Sequence, residues 1–150
     1  MFDLLDVPVL GREEDAADQV AAYLVLQSPS EKTRGRVLGA AHGYVRELNV
    51  RSARDLSGLR LRADRYTVFA KEHSTPAQRF FNLLCLAYGS DKEMFADIVE
   101  EGYLPRERAA TCEEEYRQVD FAFRALIAPH IDRQPTAKGR SRHSPTTRGP

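Results

Sequence analysis

The sequence predicts a mainly α-helical protein with a packed core. Three short segments, beginning at Thr75, Ser90 and Thr111, carry a hydroxyl residue three positions before Gln or Glu, the pattern of a capping box at a helix start. Each segment is followed by apolar residues at the spacing of three and four that forms one helix face. Of the 150 residues, 42% are hydrophobic, so the chain can bury a core. No apolar stretch approaches the roughly 18 residues that a membrane-spanning helix requires.

The first half of the chain contains two predicted helices. Residues 12–27 form the first, which ends at the sequence Ser-Pro-Ser. Residues 32–48 form the second. Residues 49–65 are polar, rich in arginine and without a clear period, so we expect a loop there, with a short strand at Leu59 and Leu61 as an alternative. The predicted apolar faces are Ala17, Val20, Ala21 and Leu24 on the first helix, and Val37, Leu38, Ala41, Tyr44, Val45 and Leu48 on the second.

The second half contains three predicted helices, each opened by one of the capping boxes. We expect the first to end at Gly89, the second at Gly102 and the third at Pro129, because glycine and proline are common just after a helix. Their predicted apolar faces are Phe80, Phe81, Leu84, Cys85 and Tyr88, then Phe95, Ile98 and Val99, then Tyr116, Val119, Phe123, Leu126 and Ile127.

The formal net charge of zero conceals an uneven distribution. Residues 133–150 hold five basic side chains and no acidic one, which leaves 17 basic and 22 acidic side chains, a net charge of −5, in residues 1–132. The terminal segment has no aliphatic residue larger than alanine, so burial cannot offset the entropy of ordering it. We predict a helical domain over residues 1–132 and a disordered basic tail over residues 133–150. The tail is either a solvated extension or an arm for nucleic acid or anionic lipid.

Zero net charge argues against a protein that binds nucleic acid through bulk electrostatics, so no nucleic-acid partner is expected for the domain. The chain opens directly on apolar residues, without the charged region and cleavage site of a signal peptide, and this abrupt start resembles the interior of a helix. The compartment cannot be assigned from these features.

Two carboxylates break the pattern of the first helix. Glu14 and Asp18 are four residues apart, so they share a helix face, and they continue the predicted apolar stripe. Burying a carboxylate is costly unless it is paired or bound to a metal. The alternative is favourable placement of acids in the first helical turn, where the helix dipole contributes about 0.3–1 kcal/mol. Asp18 lies in the second turn and fits this alternative less well.

The sequence contains several segments that are long and mixed in residue type, at residues 5–19, 72–74, 78–85, 88–91, 102–105, 108–109, 112 and 114–116. These segments resemble a bacterial family of "putative metallopeptidases" that is otherwise described only as a domain of unknown function. The resemblance covers about residues 1–132, except for the loop at 49–65 and its flanks.

The resemblance implies a gluzincin-like zinc site and the helical C-terminal part of a zincin-like domain. In such hydrolases an HExxH helix supplies two histidine ligands and a glutamate general base, and a downstream E-x-x-x-D helix supplies a third ligand. Glu14 would be that zinc ligand, and Asp18 would orient a histidine from the second coordination shell. A zinc-bound water, made acidic by the metal, would then attack a peptide or protein substrate.

The chain departs from this pattern because it contains no HExxH. Its histidines are His42, His73, His130 and His143, and no two of them are four residues apart. We therefore expect an N-terminally truncated domain without stoichiometric zinc or peptidase activity, whose first residues would be the end of the missing helix. The alternative is a catalytically silent interaction module. In that case an apolar patch at Leu4, Leu5, Ala17 and Leu24 would mediate binding or self-association.

Five further residues are weaker candidates. His73 could polarise a substrate carbonyl or be a surface or capping residue. The same two roles, in the active site or at the surface, are open to Arg79. His42 is interpreted as a residue at the edge of the core. Cys85 and Cys112 would be buried thiols in a cytosolic protein. Because the similar peptidases resemble exported proteins, we favour a disulfide between them in the full-length parent.

Overall fold

The computed structural model describes residues 2–9, 11–47 and 74–131. These residues are mainly helical and contain no strand, which confirms the predicted fold class. The predicted loop at 49–65, its alternative strand and the predicted tail at 133–150 lie outside the described residues. The helices are α1 (Phe2–Leu5), α2 (Glu13–Leu26), α3 (Glu31–Glu47), α4 (Pro76–Ser90), α5 (Ala96–Glu100), α6 (Arg106–Ala109) and α7 (Cys112–Ala122), followed by a π-helical turn (Phe123–Ile127) and α8 (Ala128–Ile131).

Helix α4 lies at the centre of the fold, because α2, α3 and α7 all pack on it. Its sequence explains this position, since apolar residues occur around most of its circumference and a helix of that kind is stable only when surrounded. No helix in the described ranges is long and apolar enough to cross a membrane. The residues of α4 buried in the main core are Phe80, Leu84, Cys85, Leu86 and Ala87.

The predicted start of α4 is confirmed in detail. The Thr75 hydroxyl accepts the backbone N–H of Gln78 at 3.2 Å, and the Gln78 side chain accepts the backbone N–H of Thr75 at 2.9 Å. Pro76 occupies the first helical position, where its missing N–H costs nothing. The predicted stop after α5 is also confirmed, since Gly102 adopts a left-handed φ of 80° that favours glycine.

Two of the three predicted capping boxes are wrong. Ser90 still belongs to α4, where its hydroxyl donates to the carbonyl of Ala87 at 2.7 Å. The neighbouring Asp91 instead accepts the N–H of Met94 at 2.9 Å. Thr111 does precede α7, but its hydroxyl donates to Glu115 at 2.8 Å and caps no backbone N–H. Asp91 thus caps in place of Ser90, and the Thr111 hydroxyl is bound to the Glu115 side chain instead of a backbone N–H.

Two predicted helix ends are also wrong. Helix α4 continues past Gly89, and the last helix continues through Pro129 to Ile131. Proline has no N–H to donate to the carbonyl four residues earlier. The π-helical turn immediately before α8 already departs from that hydrogen-bond pattern, so the proline is accommodated without ending the helix.

The buried face of α2 differs from the predicted stripe. Ala17 and Ala21 are exposed, and 49% of the surface of Leu24 is accessible to solvent. Helix α2 packs on three neighbours, and its contacts with α3, α4 and α7 rotate its buried face away from a single stripe. The buried residues are Ala22 and Leu26 in the main core, and Val20 and Tyr23 in a second cluster with Phe2, Phe123 and Ile127.

Candidate functional site

Helices α2, α3 and α4 form a groove at one side of the molecule. Helices α2 and α3 both pack on α4 but contact each other less, so α4 is the floor of the groove and the other two helices are its walls. The groove contains a cavity of about 160 Å³. Its apolar lining is made by Ala21, Ala22, Val25, Val37, Leu83 and Leu86, and polar side chains line its ends.

One side chain from each of the three helices meets at one end of the groove. Arg79 of α4 binds the Asp18 carboxylate of α2 through two hydrogen bonds, Nε to Oδ2 at 2.6 Å and Nη2 to Oδ1 at 2.8 Å. The Tyr44 hydroxyl of α3 donates to Asp18 Oδ2 at 3.1 Å, and the Arg79 guanidinium lies 4.6 Å from the Tyr44 ring centre. This anchor cluster ties the walls of the groove to its floor.

Within the anchor cluster, Arg79 and Asp18 form an ion pair in which each side chain is about 30% exposed. The hydrogen bonds that Arg79 donates to Asp18 raise the pKa of the Arg79 guanidinium above its usual value. This increase exceeds the lowering of the pKa that burial causes. A bidentate arginine–carboxylate pair is stronger than an ordinary surface ion pair because two parallel bonds fix its geometry. Sequence reasoning had placed Arg79 among weak catalytic candidates and Tyr44 on a core face, with no signal that the two meet at Asp18.

A second polar link lies at the N-terminal end of α2. Ser74 donates to Asp15 Oδ2 at 2.6 Å and accepts from Arg12 at 2.9 Å. The other oxygen of Asp15, Oδ1, is buried and has no hydrogen-bond partner among the described residues. An unsatisfied buried acceptor of this kind costs about 1–3 kcal/mol. Asp15 belongs to the acidic first turn of α2, and the sequence contains no sign of its link to Ser74.

Glu14 is half-buried on α2, one turn before Asp18. With a rise of 1.5 Å per residue, its Cα lies about 6 Å from that of Asp18 along the helix axis. Glu14 itself does not line the cavity. The structure thus places Glu14 and Asp18 on one helix face as predicted. The metal role of Glu14 stays a prediction.

The groove residues do not form a metal site by themselves. Within residues 2–9, 11–47 and 74–131, no group of three or more His, Cys, Asp or Glu side chains is placed to hold a metal ion. Both oxygens of Asp18 are bound by the cationic Arg79, which disfavours a second cation there. A structural or catalytic zinc site needs at least three protein ligands.

Neither of the two histidines within the described ranges lines the groove. His42 is exposed and lines a separate cavity beside Arg34 and Asp97, and His130 lies on α8, away from the groove lining. His73 and His143 lie outside the described residues.

The structure joins Cys85 of α4 to Cys112 of α7 by a disulfide, and both residues are completely buried. The bridge lies where α4 faces α7, away from the groove. It therefore connects the floor of the groove to the rest of the core.

The expected apolar patch near the N-terminus is present in part. Leu4 is 89% exposed and Leu24 is 49% exposed, and Ala17 is also open to solvent. Leu5 is half-buried against the second cluster and does not extend the patch.

A family model described as "Putative metallopeptidase", a domain of unknown function, matches residues 1–127. The chain belongs to this family. The match includes the groove, the anchor cluster and the disulfide, and it ends with the π-helical turn. The family description suggests that a metal is involved. No curated protein and no solved structure matches the chain.

Breaking the anchor cluster is expected to destabilise this metallopeptidase-family chain. Arg79→Met keeps an apolar stem over Tyr44 but leaves the Asp18 carboxylate half-buried without its cation, which should cost about 2 kcal/mol. Asp18→Asn combined with Arg79→Met should cost little more than Arg79→Met alone, since the two residues act as a pair. Urea unfolding followed by circular dichroism measures both variants.

The matched control for that experiment is Arg124→Met. Arg124 pairs with Asp120 four residues away and is 69% exposed, so its loss should cost less than about 0.5 kcal/mol. Equal losses from Arg79→Met and Arg124→Met would contradict a stabilising anchor cluster.

Proposed function

We propose that this chain is the helical part of a zinc metallopeptidase site in which Glu14 acts as a metal ligand. The observation that carries the proposal is the half-buried position of Glu14 on α2, one turn from the anchor cluster that holds α2 to α3 and α4. A ligand must be held in place by its surroundings to bind a metal tightly. Membership of the metallopeptidase family supports the involvement of a metal.

In this proposal Asp18 positions Glu14 through the helix. Both of its carboxylate oxygens accept hydrogen bonds from Arg79, and one also accepts from Tyr44. A histidine partner, as the gluzincin resemblance implies, would have to share or displace these donors. We assign Asp18 to the anchor cluster, because a bidentate arginine is a strong and specific partner.

The second part of the proposal is that these 150 residues do not hydrolyse peptides by themselves. They contain no HExxH, hence no pair of histidine ligands and no adjacent glutamate base. The described residues also offer no alternative group of three ligands. Without three ligands, zinc is not held long enough to act on a substrate.

The purified chain is therefore expected to contain far less than one zinc ion per molecule after dialysis and to leave casein intact. Zinc is measured by plasma mass spectrometry, and peptide release by a fluorescent casein assay. A family member that carries HExxH, treated in the same way, is the positive control. Stoichiometric zinc together with turnover would overturn the proposal.

The role of Glu14 is tested by fusing an HExxH helix from such a family member to the N-terminus of the chain. If Glu14 is the third ligand, Glu14→Gln should weaken zinc binding by at least about 100-fold, since even residues that only orient ligands contribute about 10- to 100-fold. Glu13→Gln is the matched control because Glu13 is the preceding residue and is exposed. Equal zinc affinity in the two variants would exclude Glu14 as a ligand.

A further inference from the structure

We propose that the groove binds a short extended peptide through one aliphatic side chain of about leucine size and a neighbouring carboxylate. The choice of a peptide as ligand rests on the proposed function. The shape and charges of the groove are independent of any metal, so the two proposals can fail separately.

The cavity has the size and lining of a pocket for one side chain. It measures about 160 Å³, and small residues on its walls, such as Ala21 and Ala22, leave the space open. An apolar cavity of about 150 Å³ is large enough to stay dry and hold a molecule the size of benzene. A leucine or isoleucine side chain therefore fits.

A cation that forms no ion pair with other described residues lies at the edge of this cavity. Arg79 also lines it, but its charge is neutralised by Asp18. Arg36 of α3 lines the same cavity, is exposed, and makes no ion pair within the described part of the chain. Guanidinium groups bind carboxylates through two parallel hydrogen bonds. The charge of the groove is thus complementary to an anionic group attached to an apolar one.

The rim favours a peptide over a simple fatty acid. Gln19 of α2 lines the cavity, is exposed, and makes no hydrogen bond with other described residues. Its amide can both donate to a carbonyl and accept from an N–H, which is what a peptide backbone requires and an alkyl chain does not.

The length of the groove sets the length of the ligand. Arg36 and Tyr44 are eight residues apart on α3, which is about 12 Å along the helix axis. An extended peptide advances about 3.3 Å per residue, so about four residues reach from Arg36 to the anchor cluster. A peptide whose carboxylate meets Arg36 would therefore run towards Asp18, and Glu14 lies one turn beyond.

The probe for binding is the peptide acetyl-Gly-Gly-Leu-Gly with a free C-terminal carboxylate, titrated into the full chain and followed by nuclear magnetic resonance. Replacing its leucine with alanine should weaken binding about tenfold, because the apolar contact is lost. Amidation of the C-terminus should weaken binding about fivefold, because the pair with Arg36 is lost. The amidated peptide acetyl-Gly-Gly-Leu-Glu tests whether a side-chain carboxylate can replace the terminal one. If its affinity equals that of the free acid, Arg36 binds either carboxylate; if its affinity equals that of the amidated glycine peptide, Arg36 binds the terminal carboxylate alone.

Two pairs of matched variants test the assigned residues. Ala21→Phe fills the cavity from an exposed position and should weaken binding at least tenfold. Ala17→Phe, one turn earlier on α2, is exposed but does not line the cavity and should leave binding unchanged. Arg36→Ala should remove the effect of amidation, whereas Arg46→Ala, on the same helix but outside the cavity lining, should retain it. Thermal unfolding confirms that each variant is folded.

The proposal is overturned if none of the peptides binds, if octanoate binds while the peptides do not, or if each control variant loses as much affinity as its partner. All these measurements use the chain without zinc. If the peptides do not bind, the result of the fusion experiment on Glu14 is unaffected. If Glu14 is not a zinc ligand, these titrations still show whether the groove binds peptides.

Discussion

Gly89→Ala is expected to destabilise the chain by about 3 kcal/mol, at the upper end of the usual range for overpacking. A Cβ atom at Gly89 would lie 2.1 Å from the carbonyl oxygen of Cys112 and 2.7 Å from its carbonyl carbon. It would also lie 3.0 Å from the Cβ of Tyr116. The nearest obstacles are backbone atoms, so no side-chain rotation relieves the clash. Helices α4 and α7 would have to separate, and the core between them would open.

Gly39→Ala is the matched control for Gly89→Ala. Gly39 also lies within a helix, but nothing approaches within 4 Å of the Cβ that alanine would add. Alanine should therefore stabilise α3 by up to about 1 kcal/mol through its higher helix propensity. Urea unfolding should give shifts of opposite sign for the two variants. A neutral effect of Gly89→Ala would show that α4 and α7 do not approach this closely in solution.

Loss of the disulfide is expected to have a similarly large effect. The double variant Cys85→Ala/Cys112→Ala should lose about 3–4 kcal/mol of unfolding free energy. The bridge spans a sequence separation of 27 residues, and closing a loop of that size removes this much chain entropy from the unfolded state. The bridge contributes most by limiting the unfolded chain, since the two small cysteine side chains bury little apolar area.

Two comparisons separate the bridge from the side chains that form it. The single variants Cys85→Ala and Cys112→Ala should each lose nearly as much stability as the double variant, because either change breaks the bridge. Wild-type chain reduced by a phosphine should unfold at nearly the same urea concentration as the double variant. If the oxidised and reduced chains unfold together, the bridge does not stabilise the fold, and thiol titration shows whether it is formed at all.

Features that depend on neighbouring residues were predictable from sequence. The capping contacts of Thr75 and Gln78 span four residues, and they occur as expected. Even at this range, two similar patterns failed to form a capping box. Asp91, not Ser90, accepts a backbone N–H, that of Met94, and the Thr111 hydroxyl donates to the Glu115 side chain. Local patterns therefore predict a helix more reliably than the partner of any one side chain.

The buried face of α2 shows why periodicity alone was insufficient. A single apolar stripe describes a helix with one neighbour, whereas α2 contacts α3, α4 and α7. Its alanines at 17 and 21 are small enough to remain exposed at little cost, and Tyr23 is buried because Asp120 of α7 accepts its hydroxyl at 2.5 Å. Nothing near Tyr23 in the sequence indicates that contact.

The all-α class, the ends of α2, and the shared face of Glu14 and Asp18 all followed from the sequence, because helix geometry relates residues three and four positions apart. Tertiary structure alone decided that Asp18 meets Arg79, 61 residues away, and that Arg36 borders an apolar cavity. Such pairings depend on which helix occupies the centre of the core. That choice is made by the packing of all the helices together, which no local pattern encodes.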